Sequence, residues 1–130
     1  MSLFCRNKNN NKPVIRQVID LIPRHLISKS INRFKTDKYC HKYKTYDQLV
    51  ALLFGQLCKC STLEDISIGI GVSETFISDL GLSQSPAKST MSDGNKNRNY
   101  QVFEDLYNEL LKYYGSPLSK YSNQKVVEEV

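Results

Sequence analysis

The chain has 130 residues, 40% of them hydrophobic, enough for a single domain with its own core. No apolar stretch reaches the ~20 residues that span a bilayer and no apolar leader opens the chain, so membrane and secreted classes are set aside and a cytoplasmic protein is expected. The net charge of +5 is unevenly spread: residues 1–44 carry seven lysines and four arginines against Asp20 and Asp37, a surplus of nine, whereas residues 45–130 carry seven basic against eleven acidic groups, a deficit of four. A polyanion partner would use such a front, because each cation set on a phosphate releases counterions; a solvated surface that binds nothing is the plainer reading.

Residues 1–12, rich in asparagine and lysine and without an apolar period, read as a flexible basic arm. After Pro13, the residues Val14, Val18, Ile19, Leu21 and Ile22 recur at helical spacing and predict a short helix that stops at Pro23. Leu26, Ile27, Ile31 and Phe34 predict a second, amphipathic helix, with Arg24, Lys29 and Arg33 mostly off its apolar face. Residues 35–44 break the period, and Lys35, Lys38, Lys42 and Lys44 alternate there with Tyr39, His41 and Tyr43 in a basic, aromatic loop. Thr45 with Gln48 has the form of a capping box, and Leu49, Leu52, Leu53, Phe54 and Leu57 then give a wide apolar stripe; this helix, over 45–58, is expected to be central.

Ser61 with Glu64 repeats the capping form ahead of Leu63, Ile66 and Ile70, and Gly69 and Gly71 are expected to end that helix. Residues 73–80 predict another short helix with Gly81 just past its end. Ser85 and Pro86 offer an N-cap and a first helical position for a helix over 86–97, which Gly94 weakens by roughly 1 kcal/mol relative to alanine. Asn99 can cap the last helix, whose face is Val102, Phe103, Leu106, Leu110, Leu111 and Tyr114, before Gly115 and Pro117 stop it. Alternating β-branched runs with hairpin turns are missing, so the expected fold class is all-α: a compact bundle of five to seven short helices over residues 13–115, with 116–130 a tail or the start of a linker.

Little in the chain suggests chemistry. Cys5, Cys40, Cys58 and Cys60 are expected to be reduced, Cys58-x-Cys60 is too tight for the usual zinc spacing, and Cys58 reads more simply as a small buried hydrophobe. Glu64, Asp65, Glu104, Asp105 and Glu109 fall at capping or exposed helical positions and not on a scaffold that could hold two cations across a phosphate. No catalytic residue, metal site or cofactor is expected. His25 can be read as a phosphate contact or as a locally bonded helix-start residue. Arg24, beside it, combines a planar donor fork with a helix N-terminus, which suits phosphate. The stretch 61–98 can be read as helix-turn-helix-like, its later helix bearing Lys88, Ser89, Thr90, Ser92, Asn95, Lys96 and Arg98, residue types that serve a major-groove helix and equally an ordinary solvated one.

Four short motifs stand in order at ordinary spacing: Ile22-Pro23-Arg24-His25, Leu53-Phe54-Gly55-Gln56-Leu57, Ser89-Thr90-Met91-Ser92-Asp93 and the run from Arg98-Asn99-Tyr100 to Glu104-Asp105-Leu106. Over residues 14–114 they resemble the N-terminal domain that precedes the catalytic core of IS4-family insertion-sequence transposases. In that family the catalytic domain that follows has an RNase H-like fold with an acidic triad, and this chain stops before one could begin. The strand-borne Asp that opens it is missing after Tyr114. Glu64 stands where relatives typically have a basic residue, and Gly94 with Lys96-Asn97 replaces a more usual Ala-Asn-Glu-Lys run.

The resemblance implies a module that recognises the terminal inverted repeats of a transposon as double-stranded DNA, without strand cleavage of its own. Its expected contacts are Arg24, Lys42, Lys44, Lys88, Lys96 and Arg98, and a second copy or a full-length transposase is a further expected partner. The competing expectation is an interaction or dimerisation domain that uses the stripe over 49–57 or the tyrosine-rich last helix.

Overall fold

Apolar residues at steps of three and four wind most of the chain into α-helices, and the computed structural model describes residues 12–129, with side-chain surroundings through 115. Among the described residues there are seven helices and no strand: α1 (Val14–Ile19), α2 (Arg24–Phe34), α3 (Thr45–Leu57), α4 (Leu63–Ile70), α5 (Glu74–Asp79), α6 (Lys88–Asn97) and α7 (Gln101–Glu129). The fold is all-α. Of the expected basic arm, residues 1–11 lie outside the described residues.

Two clusters of apolar side chains hold the helices together, and α3 contributes to both. In the larger, Val50, Ala51 and Phe54 of α3 meet Ile15 and Ile19 of α1, Ile66 and Ile70 of α4, Phe76 and Leu80 around α5, and Met91 of α6. In the smaller, Leu49 packs with Leu26 and Ile27 of α2 and Leu106 of α7. Leu53, half-buried, touches both. The wide stripe on α3 therefore serves as the shared wall between two helix layers, although Leu52 and Leu57 at its edges remain exposed.

Helix α2 is fastened to α7 by charge as well as by apolar contact. The Ser30 hydroxyl donates to Asp105 at 2.8 Å, Arg33 pairs with Asp105, and the Lys29 ammonium lies 3.2 Å from Glu109. Cations at 29 and 33 face acids at 105 and 109, a four-residue step on both helices that puts each set on one face.

Helix starts differ from expectation in detail. Thr45 is not the cap of α3: Lys44 holds that place, its backbone N–H donates to the Asp47 carboxylate at 2.9 Å, and Asp37 accepts from both the backbone and the hydroxyl of Thr45. Gln48, the other half of the expected box, is buried and bonded elsewhere. Thr62, one residue after Ser61, caps α4 by accepting from the Asp65 N–H, and Ser73, expected as the first residue of a helix, is instead the cap of α5. The far end of α5 closes on Gly81 at φ 77°, with the Leu82 N–H on the Ile77 carbonyl and the Gly81 N–H on that of Ser78. Helix α6 starts at Lys88, two residues later than expected, because the Ser85 hydroxyl turns back to the Ser67 carbonyl of α4 and Pro86 is buried.

The largest departure is at the end. Helix α7 does not stop at Gly115 but runs on to Glu129. Gly115 adopts no positive φ, so the left-handed turn that would end the helix there does not form. Pro117 removes one backbone donor, so the helix runs past it with one hydrogen bond fewer.

Candidate nucleic-acid interface

Helix α6 is two-faced. Met91 and Gly94, with Arg98 just past the helix end, turn inward at steps of three and four, Asn95 beside them meets Gln48 from an exposed position, and Lys88, Ser89, Ser92, Asp93 and Lys96 form the exposed stripe opposite. Met91, 1% exposed, anchors the inner face in the larger cluster. The helix packs on α3 and α4, so these three make a compact trihelical unit with α5 inserted in the link between α4 and α6. The expected helix-turn-helix-like arrangement is thus α4 and α6 on α3, and their connection is longer than a single tight turn.

Arg98 is not presented to solvent as a free fork. Its guanidinium donates to Gln48 at 2.7 Å, to the Tyr43 carbonyl and to the Cys40 sulfur at 3.4 Å, with the Tyr43 ring 5.6 Å away. Asn95 accepts from the Gln48 amide at 2.8 Å. The two residues that suited base reading best by type, Asn95 in α6 and Arg98 just past it, both bond to the buried Gln48, whose amide needs partners there; Arg98 is half-buried and Asn95 stays exposed. The same i, i+3, i+4, i+7 spacing with Met91 was the sequence signal for this. Read as one face, it places Arg98 with the core residue and not with Lys88.

The Arg98 clamp fixes the basic loop 35–44 alongside α6. Cys40 donates to the Tyr43 carbonyl at 3.0 Å, and the Tyr43 ring lies so close to α6 that a side chain at Gly94 would come within 2.6 Å of it. Gly94 is there for that contact, and its helix penalty is secondary. Gly94→Ala, which would gain about 1 kcal/mol in an isolated helix, is expected instead to cost 1 kcal/mol or more, roughly the toll of overpacking, as measured by urea denaturation.

Burial, the largest influence, pushes the Tyr43 phenol up to about 12; nearby Arg98 pulls it down and Asp47 adds to the rise. An unfolded tyrosine ionises near 10. The stability this group contributes is therefore complete below about pH 10 and is lost as pH rises toward 12. The Tyr43 hydroxyl is buried without a hydrogen-bond partner, so Tyr43→Phe should leave stability unchanged or slightly raised at neutral pH and flatten the alkaline loss. Denaturant midpoints taken at neutral and alkaline pH check both parts. Burial also raises Asp47, which the Lys44 N–H opposes, and raises the half-buried thiols of Cys58 and Cys60, each packed against the larger cluster.

Salt bridges sort the cations further. Lys12 and Arg16 pair with Asp20, and Lys29 and Arg33 with the acids of α7. No acid among the described residues lies within ion-pair distance of Lys35, Lys38, Lys42 or Lys44, nor of Lys88 or Lys96, although the charge of Lys44 is felt by Asp47. Lys42 lines a cleft of about 260 Å³ together with Tyr43, Ala87 and Thr90, so the loop and the first turn of α6 border the same opening. Arg24 stands apart from that opening, its guanidinium 4.3 Å over the ring of Tyr46. Tyr46 in turn accepts from Arg16 at 3.1 Å and donates to the Leu80 carbonyl at 2.7 Å. Of the six expected contacts, the structure groups Lys42, Lys44, Lys88 and Lys96 as unpaired cations on the loop and α6, stacks Arg24 at the start of α2, and commits Arg98 to the interior.

The fold and this edge define a small helical domain built on a trihelical unit with a cationic loop beside its last helix. The chain belongs to the family described as domain of unknown function (DUF4372), whose model matches residues 10–82, more than half its length. The match covers α1 to α5 and the basic loop and ends before α6. No curated protein and no solved structure matches the chain. Among the described residues no helix is long and apolar enough to cross a membrane.

Proposed function

We propose that the chain is a DNA-binding module of an IS4-like transposase, which recognises transposon-end duplex and does not itself cut it. The family is known at the N-termini of transposases, which supports the setting. The observation that carries DNA binding is the set of unpaired lysines, Lys42 and Lys44 on the loop and Lys88 and Lys96 on the outward stripe of α6. In this reading the α6 stripe lies toward the groove with Ser89 and Ser92 near bases or phosphates, and the loop lysines sit on the backbone. Arg98 acts as a positioning residue that holds loop and helix in register.

Fluorescence anisotropy of labelled duplexes, one carrying an element end and one scrambled, tests this at two salt concentrations. Affinity should fall steeply with salt, and Lys42→Ala should weaken both duplexes alike and reduce the salt slope by about one. Absence of binding to either duplex at low salt would exclude the reading. The second reading, an interaction domain, is favoured by the exposed side chains Tyr107, Leu111, Tyr113 and Tyr114 on α7; its binding would change little with salt.

A further inference from the structure

The most exposed large hydrophobic side chain among the described residues is Tyr39, 85% accessible, in the loop next to Cys40, which the Arg98 clamp holds. Its backbone is left-handed at φ 61°, and Lys35 is left-handed at φ 52°. Neither is glycine, and a side chain held in that region is strained. The loop nevertheless holds the conformation firmly. Lys38 donates to the Lys35 carbonyl, Cys40 to that of Asp37, and the Asp37 carboxylate accepts from the backbone and hydroxyl of Thr45. A tethered loop thus pushes an aromatic ring into solvent, where an aliphatic core position would have withdrawn it.

The ring has cationic company. The Lys38 ammonium lies 5.2 Å from its centroid, and Lys35 and Lys38 line a shallow groove of about 470 Å³ with Ile31, Asn32 and Asp37. A flat aromatic face beside unpaired ammonium groups is the combination that takes up single-stranded nucleic acid, the ring stacking on a base and the cations holding the flanking phosphates. A continuous duplex keeps its bases stacked and offers the ring nothing.

We infer that Tyr39, with Lys35 and Lys38, forms a site for an unpaired base in a DNA strand, distinct from the duplex contact of α6. This rests on the DNA-binding reading above. The occupant is a nucleotide at a bulge, nick or frayed end; a plain duplex occupies only the α6 stripe and the loop lysines Lys42 and Lys44.

The test compares the full chain on two duplexes that share one 2-aminopurine-bearing strand, one with a complement that pairs it and one with a complement that leaves it unpaired, by anisotropy and by 2-aminopurine fluorescence. The wild type should prefer the interrupted duplex by about tenfold and quench its fluorescence on binding. Tyr39→Ala should abolish preference and quenching while leaving continuous-duplex affinity and melting temperature unchanged, and Tyr39→Phe should keep both. Equal affinity of the wild type for the two duplexes, or a preference that survives Tyr39→Ala, overturns the site while leaving duplex recognition standing. Failure to bind either duplex overturns both.

Discussion

Phe54→Ala is expected to lower unfolding stability by about 3–5 kcal/mol, a large share of the roughly 5–15 kcal/mol that holds a domain together. Phe54 is 1% exposed, and its ring meets Phe76 edge to face at 6.0 Å. It sits where α1, α3, α4, α5 and α6 converge, so truncation leaves a cavity that no single helix can close without dragging the others. Urea denaturation should show a much lower midpoint at an unchanged slope. Leu52, two residues earlier on the same predicted stripe, is 38% exposed, and Leu52→Ala should stay within about 0.5 kcal/mol. Similar losses for the two variants would mean that α3 is rotated from the position described.

Arg98→Ala should cost about 2–3 kcal/mol, the scale of hydrogen bonds made by a charged group. The loss comes from both sides: the guanidinium leaves, and Gln48 and the Tyr43 carbonyl stay behind in a space that water does not readily reach. Arg98→Lys should not restore it, because a point ammonium cannot reach separate acceptors as a planar fork does. Paired with Gln48→Leu, the substitution should be less than additive, since each already breaks the same network. Amide exchange should quicken at residues 40–43 in Arg98→Ala while the α2–α7 pair stays protected. In DNA binding, the variant should lose affinity for cognate and scrambled duplexes alike, because Arg98 orders the loop without reading a base.

Helices were legible from periodicity because burial enforces it: α2, α3 and α4 appear where their apolar steps predict them. Caps were less legible. Asp37, eight residues before Thr45 in sequence, reaches its hydroxyl and N–H, and no local pattern reports a partner that a loop folds back into place. Gln48 looked like half of a capping box because its type and spacing fit one, yet its bonds go to Asn95 and Arg98 far along the chain. The charge surplus of the front was legible as a sum. Its division was not, because Lys29 and Arg33 are matched by acids of α7 only once those helices pack. Among the described residues of the front, the loop lysines and Arg24 are left without an ion-pair partner, and the proposal rests on the loop lysines. Gly94 was read as a weak point in α6, although the ring of Tyr43 needs that absence of a side chain.

The central claim is that Lys42 and Lys44 of the loop and the outer stripe of α6 form one duplex-facing edge. Titration of the isotope-labelled chain with transposon-end duplex, followed through backbone amide chemical shifts, tests it most directly. The account predicts salt-sensitive shifts concentrated at residues 42–44 and at Lys88, Ser89, Ser92 and Lys96, with Tyr107 and Leu111 unmoved. Shifts confined to α7, or none at low salt, would contradict it.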